Sequence, residues 1–314
     1  MRINKAIIFF IVFVAAAVFI LGSGAARIEI PDNPAPLSEA VAVPRVGIIK
    51  KPISLRSGPL SMNGNPEGLA PISGVPATIL TSTAAQGYVQ AKYSYTGSAA
   101  LKTLTQKSAA SENFDFIGNG HEQAVPLSLG VGTYSVSILE NVSGNSYRFV
   151  RSATAVLPAE TLNTYLISIP GIRWTPGTSY TEMARVLTQN SVTDADAFKA
   201  IYEWVVKNVR YDYSKVGNLP NGYLPNPLTT YNTKKGICYD FASLLASMCR
   251  SQGIPTKLTK GYSTYVTGYH AWNEVYLDGQ WKIVDTSTDS CYYQAGYSYT
   301  MYKSSGAYTA TSSY

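Results

Sequence analysis

The stretch His270–Thr286 reads "HAWNEVYLDGQWKIVDT". Two alternating runs flank Asp278-Gly279, and an Asp-Gly pair in that setting specifies a two-residue type I′ hairpin. The turn then serves as a ruler. Leu277 faces Gln280, and counting outward places Trp272 opposite Asp285 and His270 opposite Ser287. Side chains alternate faces along a strand, so His270, Trp272 and Asp285 share one side. Diagonal neighbours across such a pair are about 7–8 Å apart, within side-chain reach. A carboxylate there can accept an imidazole N–H and fix its tautomer. A one-residue slip would put the pair on opposite faces.

Upstream lies "TKKGICYDFASLLASMCRSQGIP", Thr233–Pro255. A helix is expected from Cys238, with Phe241, Leu244, Leu245, Met248 and Cys249 on its buried stripe. Gly253 and Pro255 end it. Cys238 therefore sits at a helix N-terminus, which favours a thiolate, and Lys234 and Lys235 add nearby positive charge. An imidazole close by would complete a thiolate–imidazolium pair. The Cys238 N–H, unpaired in the first turn, could donate to an oxyanion. A second donor is unassigned, with Tyr213 and Trp272 as candidates by proximity. An earlier helix is expected over Asp194–Val209. Phe198, Ile201, Tyr202, Val205 and Val209 line one face, and Thr193 and Asp196 form its start.

"TKLTKGYS" (Thr256–Ser263) adds a strand before the hairpin, so helices followed by antiparallel strands give an α+β class. Further upstream, "YVQAKYSY", "TYSVSIL" and "YRFVRSATAVL" alternate and are separated by Gly and Asn clusters. They read as a small β-sandwich. His121, in "GNGHEQ", reads as a surface histidine. Nine of the 17 prolines lie between Pro31 and Pro76, which excludes long helices there. One short strand, "VGIIK", is expected in this part.

The blocks "AFKAIYEWVVKNVRYDY", "TKKGICYDFASLLASMCRSQGIPTKLTKGY" and "YHAWNEVYLDGQWKIVDTS" together resemble the transglutaminase-like superfamily, in its bacterial exported branch. The resemblance covers about Thr178 to Asp289. It implies a papain-like fold and a Cys-His-Asp triad, carried here by Cys238 ("GIC"), His270 ("HAW") and Asp285 ("VDTS"). It also implies thiolate attack on a carboxamide or peptide carbonyl, a thioester, and resolution by an amine or water. The animal enzymes depend on calcium. No D-x-D-x-D-G loop is present in this chain, so no metal or cofactor is expected.

Apolar residues make up 46 % of the 314-residue chain, enough for a packed core, and charged residues only 14 %. The net charge is +6 without a basic run or basic-aromatic stripe, which argues against nucleic acid. Two positive charges precede an apolar run of 17 residues, Ala6–Gly22, and then "GSGAA". This is the pattern of a signal peptide, with an uncleaved N-terminal membrane anchor as the alternative. The expected layout is 1–26 signal or anchor, 27–80 Pro/Gly-rich linker, 81–160 β-sandwich-like domain and 175–314 transglutaminase-like catalytic domain. The expected location is extracellular or at the cell surface, with protein or peptide substrates, some of them associated with the cell wall.

Three cysteines is an odd number, so at least one thiol stays unpaired; a Cys249–Cys291 bridge is one option. Taken singly, Cys238 fits a buried structural cysteine, His270 a satisfied core histidine and Asp285 a strand-end cap. Their order and shared faces favour a reactive set. Three functions stay open: exported thiol-dependent acyl transfer or amide hydrolysis; a cysteine protease or wall-peptide hydrolase with the same triad; and a non-catalytic adhesion or scaffold protein.

Overall fold

Asp278 and Gly279 both have positive φ, 55° and 79°, the combination that a type I′ turn requires. The ladder leaving this turn pairs Leu277 with Gln280 and continues to Asn273 opposite Val284. The computed structural model describes residues 61–62, 76–220 and 222–314. The apolar N-terminal run, the "VGIIK" segment and most of the Pro/Gly-rich part lie outside the described residues. Among the described residues, no helix is long and apolar enough to cross a membrane.

The strands are β1 Ser61–Met62, β2 Ala77–Leu80, β3 Tyr88–Tyr93, β4 Leu101–Lys107, β5 Ala110–Phe116, β6 Gln123–Pro126, β7 Gly132–Ser143 and β8 Ser146–Leu157. Then come β9 Arg210–Tyr211, β10 Lys235–Gly236, β11 Thr256–Ser263, β12 His270–Leu277, β13 Gln280–Val284 and β14 Tyr308–Ser313. The helices are α1 Ser179–Thr188, α2 Asp194–Asn208, α3 Pro227–Thr233, α4 Cys238–Ser251 and α5 Thr286–Ala295. The class is α+β.

The first eight strands form a five-stranded sheet, β1-β8-β7-β4-β5, and a three-stranded sheet, β2-β3-β6. Val89, Ala91 and Val125 of the small sheet share one apolar cluster with Tyr134, Val136 and Ile138 of the large one. Strand β2 lies inside the segment expected as linker, where it pairs with β3. His121 is exposed.

A separate four-stranded sheet, β13-β12-β11-β14, carries α4 on one side. Asn273 Nδ2 on β12 donates to the Ala242 carbonyl on α4 and to the Lys257 carbonyl on β11, both at 2.9 Å. Helix α2 starts as the sequence predicts: the Thr193 side chain accepts from the Asp196 N–H at 3.1 Å. Helix α4 departs from the expected single stripe. Thirteen of its 14 residues are buried, because it separates two apolar clusters. Phe241, Leu244, Leu245, Met248 and Cys249 face the helical cluster. Cys238, Tyr239, Ala242 and Ala246 belong to the cluster that continues into the sandwich. Two of its buried polar residues are paired: Ser243 Oγ donates to the Gly171 carbonyl at 2.5 Å, and Arg250 donates to the Ile167 and Thr256 carbonyls at 2.8 Å each.

Candidate active site

Cys238 is the first residue of α4, after Ile237 in extended conformation. Ile237 offers no side-chain cap. The Asp240 carboxylate instead accepts from the Ile237 N–H at 2.9 Å, which closes half of a capping box. Asp240 also takes Lys215 Nζ at 3.0 Å and the Tyr223 hydroxyl, so it ties the irregular loop after α2 to the start of α4. Gly236 is required by this close approach. A Cβ there would lie 2.4 Å from Asp240 Cβ.

His270 opens β12 and is 2 % exposed; Asp285 is fully buried. His270 Nε2 lies 2.7 Å from Asp285 Oδ2. Cys238 lies near enough to the His270 ring to favour its charged form, and with Nε2 taken by Asp285, Nδ1 is the ring nitrogen left to serve the thiol. Trp272 stacks beside the ring at 6.1 Å. The three residues chosen from the sequence therefore converge, with Trp272 on the same side.

One detail of the ruler is corrected. Strand β13 ends at Val284, so Asp285 has no cross-strand partner and is the N-cap of α5. Its backbone is still extended, φ −139°, so the side chain keeps the face that the alternation assigned. Asp285 is a cap and a histidine partner at once. Oδ1 accepts from Ser287 Oγ at 2.9 Å and from the Thr288 N–H at 3.1 Å. Oδ2 accepts from Thr288 Oγ1 at 2.8 Å and the Tyr308 hydroxyl at 3.0 Å, besides His270.

These contacts set the charge state. Burial favours a neutral Asp285, but the His270 charge and the hydrogen bonds from His270 and Thr288 outweigh it, holding the carboxyl well below its usual range. Burial likewise disfavours the imidazolium, yet the Asp285 carboxylate overrides it and raises His270 from 6.5 to about 10. The pair is thus an ion pair at neutral pH.

Residues 181–286 match the family model of the transglutaminase-like superfamily, a span that holds Cys238, His270 and Asp285. This segment is a transglutaminase-like core. Human kyphoscoliosis peptidase is 32 % identical over 119 residues, covering 35 % of this chain and 18 % of that protein. The LIM and transglutaminase domain protein ltd-1 of Caenorhabditis elegans is 31 % identical over 124 residues, 34 % of this chain and 16 % of that protein. The chain thus spans less than a fifth of these relatives. Among solved structures, the periplasmic domain of TgpA from Pseudomonas aeruginosa aligns at 12 % identity and a TM-score of 0.36, covering 73 % of this chain and 96 % of that one.

The transglutaminase-like core differs from the sequence expectation around the thiol. Lys234 adopts a left-handed conformation, φ 55°, and its ammonium lies over the rings of Tyr231 (3.6 Å) and Trp204 (4.5 Å). Lys235 is exposed on β10. Neither ammonium serves as a partner of Cys238; proximity in sequence did not carry into space, because the backbone turns at Lys234. Of the two oxyanion candidates, the Tyr213 hydroxyl pairs with Cys291 Sγ at 3.6 Å, and Trp272 Nε1 is buried without a partner. Tyr211 lies beside the thiol instead: burial first, then the neighbouring Cys238 and Cys291, raise its phenol well above the ordinary tyrosine value. Its position one residue after the end of "KNVR" gives no local signal, since the contact arises from the parallel pairing of β9 with β10. All three cysteines are free, so the Cys249–Cys291 bridge is absent. Cys249 is fully buried, and burial pushes its thiol up to about 12. Among the described residues, no group of three His, Cys, Asp or Glu side chains could hold a metal ion.

Proposed function

We propose that the chain is a thiol-dependent acyltransferase or amidohydrolase acting on protein or peptide carboxamides. The observation that supports this is the buried His270–Asp285 pair, 2.7 Å apart, with Cys238 at the start of α4 beside the ring. The thiolate of Cys238 adds to the carboxamide carbon, and the negative charge passes to the carbonyl oxygen. That oxygen takes the Cys238 N–H at the start of α4, with the Tyr211 hydroxyl beside the thiol as a second candidate donor. The C–N bond then breaks as the imidazolium proton moves to the leaving nitrogen. Ammonia or an amine departs, and a thioester remains. Water or a primary amine attacks the thioester, neutral His270 takes its proton, and the thiolate leaves. The product is a carboxylic acid or a new amide, and the ion pair is restored. Asp285 keeps the imidazole in the required tautomer throughout.

Peptide hydrolysis by the same residues is the second reading, favoured by the likeness to human kyphoscoliosis peptidase. Export by the N-terminal apolar run, Ala6–Gly22, would place either activity at the cell surface, by a signal or an anchor. The deciding assay is ammonia release from a glutamine-containing peptide, with and without an added primary amine. Amine incorporation marks transfer, and acid formation marks hydrolysis. Cys238→Ala abolishes both; retained activity in that variant would sink the mechanism.

A further inference from the structure

The family match ends at residue 286, yet beyond the adjacent Ser287 and Thr288 a side chain from a distant strand also touches Asp285. Tyr308 is the first residue of β14, where it pairs with Ser263 on β11. It is 8 % exposed, with its ring 5.0 Å from Trp272 and 5.7 Å from Tyr265. Its hydroxyl donates at 3.0 Å to Asp285 Oδ2, the oxygen that also holds His270 Nε2.

We propose that Tyr308 is a positioning residue that sets how strongly Asp285 holds the His270 proton. The orientation of Asp285 does not need Tyr308. Ser287 Oγ, the Thr288 N–H and Thr288 Oγ1 already clamp both oxygens from the start of α5. What a further O–H donor adds is withdrawal of negative charge from the oxygen facing the imidazole. A carboxylate with fewer donors is a stronger base, and it would keep the imidazolium proton too firmly. In the proposed reaction that proton must pass to the leaving nitrogen, and a general acid works best with a pKa close to the working pH. Tyr308 therefore moderates a pair that burial and close contact make strong.

The other groups near this carboxylate bear on any titration. Cys238 faces the His270 ring from α4, and Asp289, Cys291 and Tyr292 follow on α5. Asp289 is covered by Lys303 and by the Tyr202 hydroxyl from α2, while Tyr265 reaches Tyr308 from the loop before β12. None of these changes in Tyr308→Phe, which removes one oxygen and keeps the ring against Trp272.

The inference rests on the triad reading, but its test does not need turnover. The chain has two histidines, and the exposed His121 gives a separate signal. Imidazole NMR of the full chain therefore follows His270 directly. In Tyr308→Phe the His270 midpoint is expected to rise by about half a pH unit or more. A ring-fluorinated tyrosine at position 308 is a stronger donor of nearly the same shape and is expected to lower the midpoint, which keeps the test open if the phenylalanine variant does not fold. A midpoint that stays or falls in Tyr308→Phe, or that stays or rises with the fluorinated ring, overturns the proposal. The triad reading fails separately, if Cys238 of the unmodified protein is alkylated no faster than a free thiol at neutral pH.

Discussion

Asp285→Asn tests the relay at its most loaded atom. Oδ1 receives two donors and Oδ2 three, so an amide nitrogen must face donors wherever it lies. Asparagine is a good N-cap, and its oxygen is expected on the Oδ1 side to keep the Thr288 N–H. The NH₂ then faces His270, Thr288 and Tyr308. The two hydroxyls can rotate and accept. His270 Nε2 can accept only if its proton moves to Nδ1, the nitrogen that serves Cys238. The imidazole would then point an N–H at the thiol and could not take its proton. Burial, no longer opposed, would also keep the ring neutral. Without an imidazolium the thiol loses its counter-ion. The alkylation rate of Cys238 with iodoacetamide at pH 7 is therefore expected to fall. Turnover is expected to drop by about 10⁴, as when an amide replaces a triad carboxylate elsewhere. A folded variant that alkylates at the unmodified rate would refute this account of the site.

The same pair makes stability depend on pH with a defined sign. Asp285 is held low, so its contribution is present above its unfolded value near 3.9 and is lost as pH falls through the folded value. His270 is raised, so its contribution is complete below about 6.5 and is lost as pH rises toward about 10. Urea midpoints should therefore decline between about pH 6.5 and 10, and Asp285→Asn should remove that decline; a flat midpoint in the unmodified protein over this range would contradict it. Gly236→Ala drives a methyl onto Asp240 Cβ at 2.4 Å, so a loss of about 1–3 kcal/mol in urea unfolding is expected, together with slower Cys238 alkylation. Phe114→Ala removes a buried ring that meets Tyr314 edge-on at 5.5 Å, with an expected cost of about 3–5 kcal/mol. Calorimetry should show the sandwich and the transglutaminase-like core shifting together; a shift confined to the sandwich would mean the two unfold separately.

Local chemistry made much of the site legible. The Asp-Gly turn fixed the hairpin register, and period-two alternation put His270 and Asp285 on one face even though β13 stops one residue before Asp285. The start of α4 at Cys238 followed from its apolar spacing and from Gly253 and Pro255 at its end. What stayed hidden depends on pairing between distant segments. Tyr211 comes beside Cys238 through a two-residue parallel pairing, too short to leave a pattern. Tyr308 arrives on a strand whose sequence, "YTATSS", alternates weakly and whose partner lies about 50 residues upstream. Strand β5, "ASENFDF", was missed for a related reason: its polar residues face Ser128 and other partners within the fold, which blurs the alternation. Lys234, close to Cys238 in sequence, is turned away from it by its own left-handed backbone and sits over Tyr231 and Trp204.

Strand β14 joins these observations. At its first residue Tyr308 bonds Asp285. At its far end Ser313 Oγ meets Thr259 at 2.8 Å, and the next residue, Tyr314, packs on Phe114 of β5 and pairs its hydroxyl with Tyr239 at 3.3 Å. Tyr239 is the residue after Cys238. Lys260 Nζ sits over the rings of Tyr239 and Tyr314, at 4.1 and 5.3 Å, and so closes the same contact from β11. One short strand thus touches the carboxylate at one end and, through Tyr314, both the nucleophile's helix and the sandwich at the other. A sandwich that served only as a spacer would need none of these contacts. Because the apolar cluster runs without a break from Val136 and Phe114 through Tyr314 to Cys238, a disturbance of the sandwich interface reaches the first turn of α4 by packing alone.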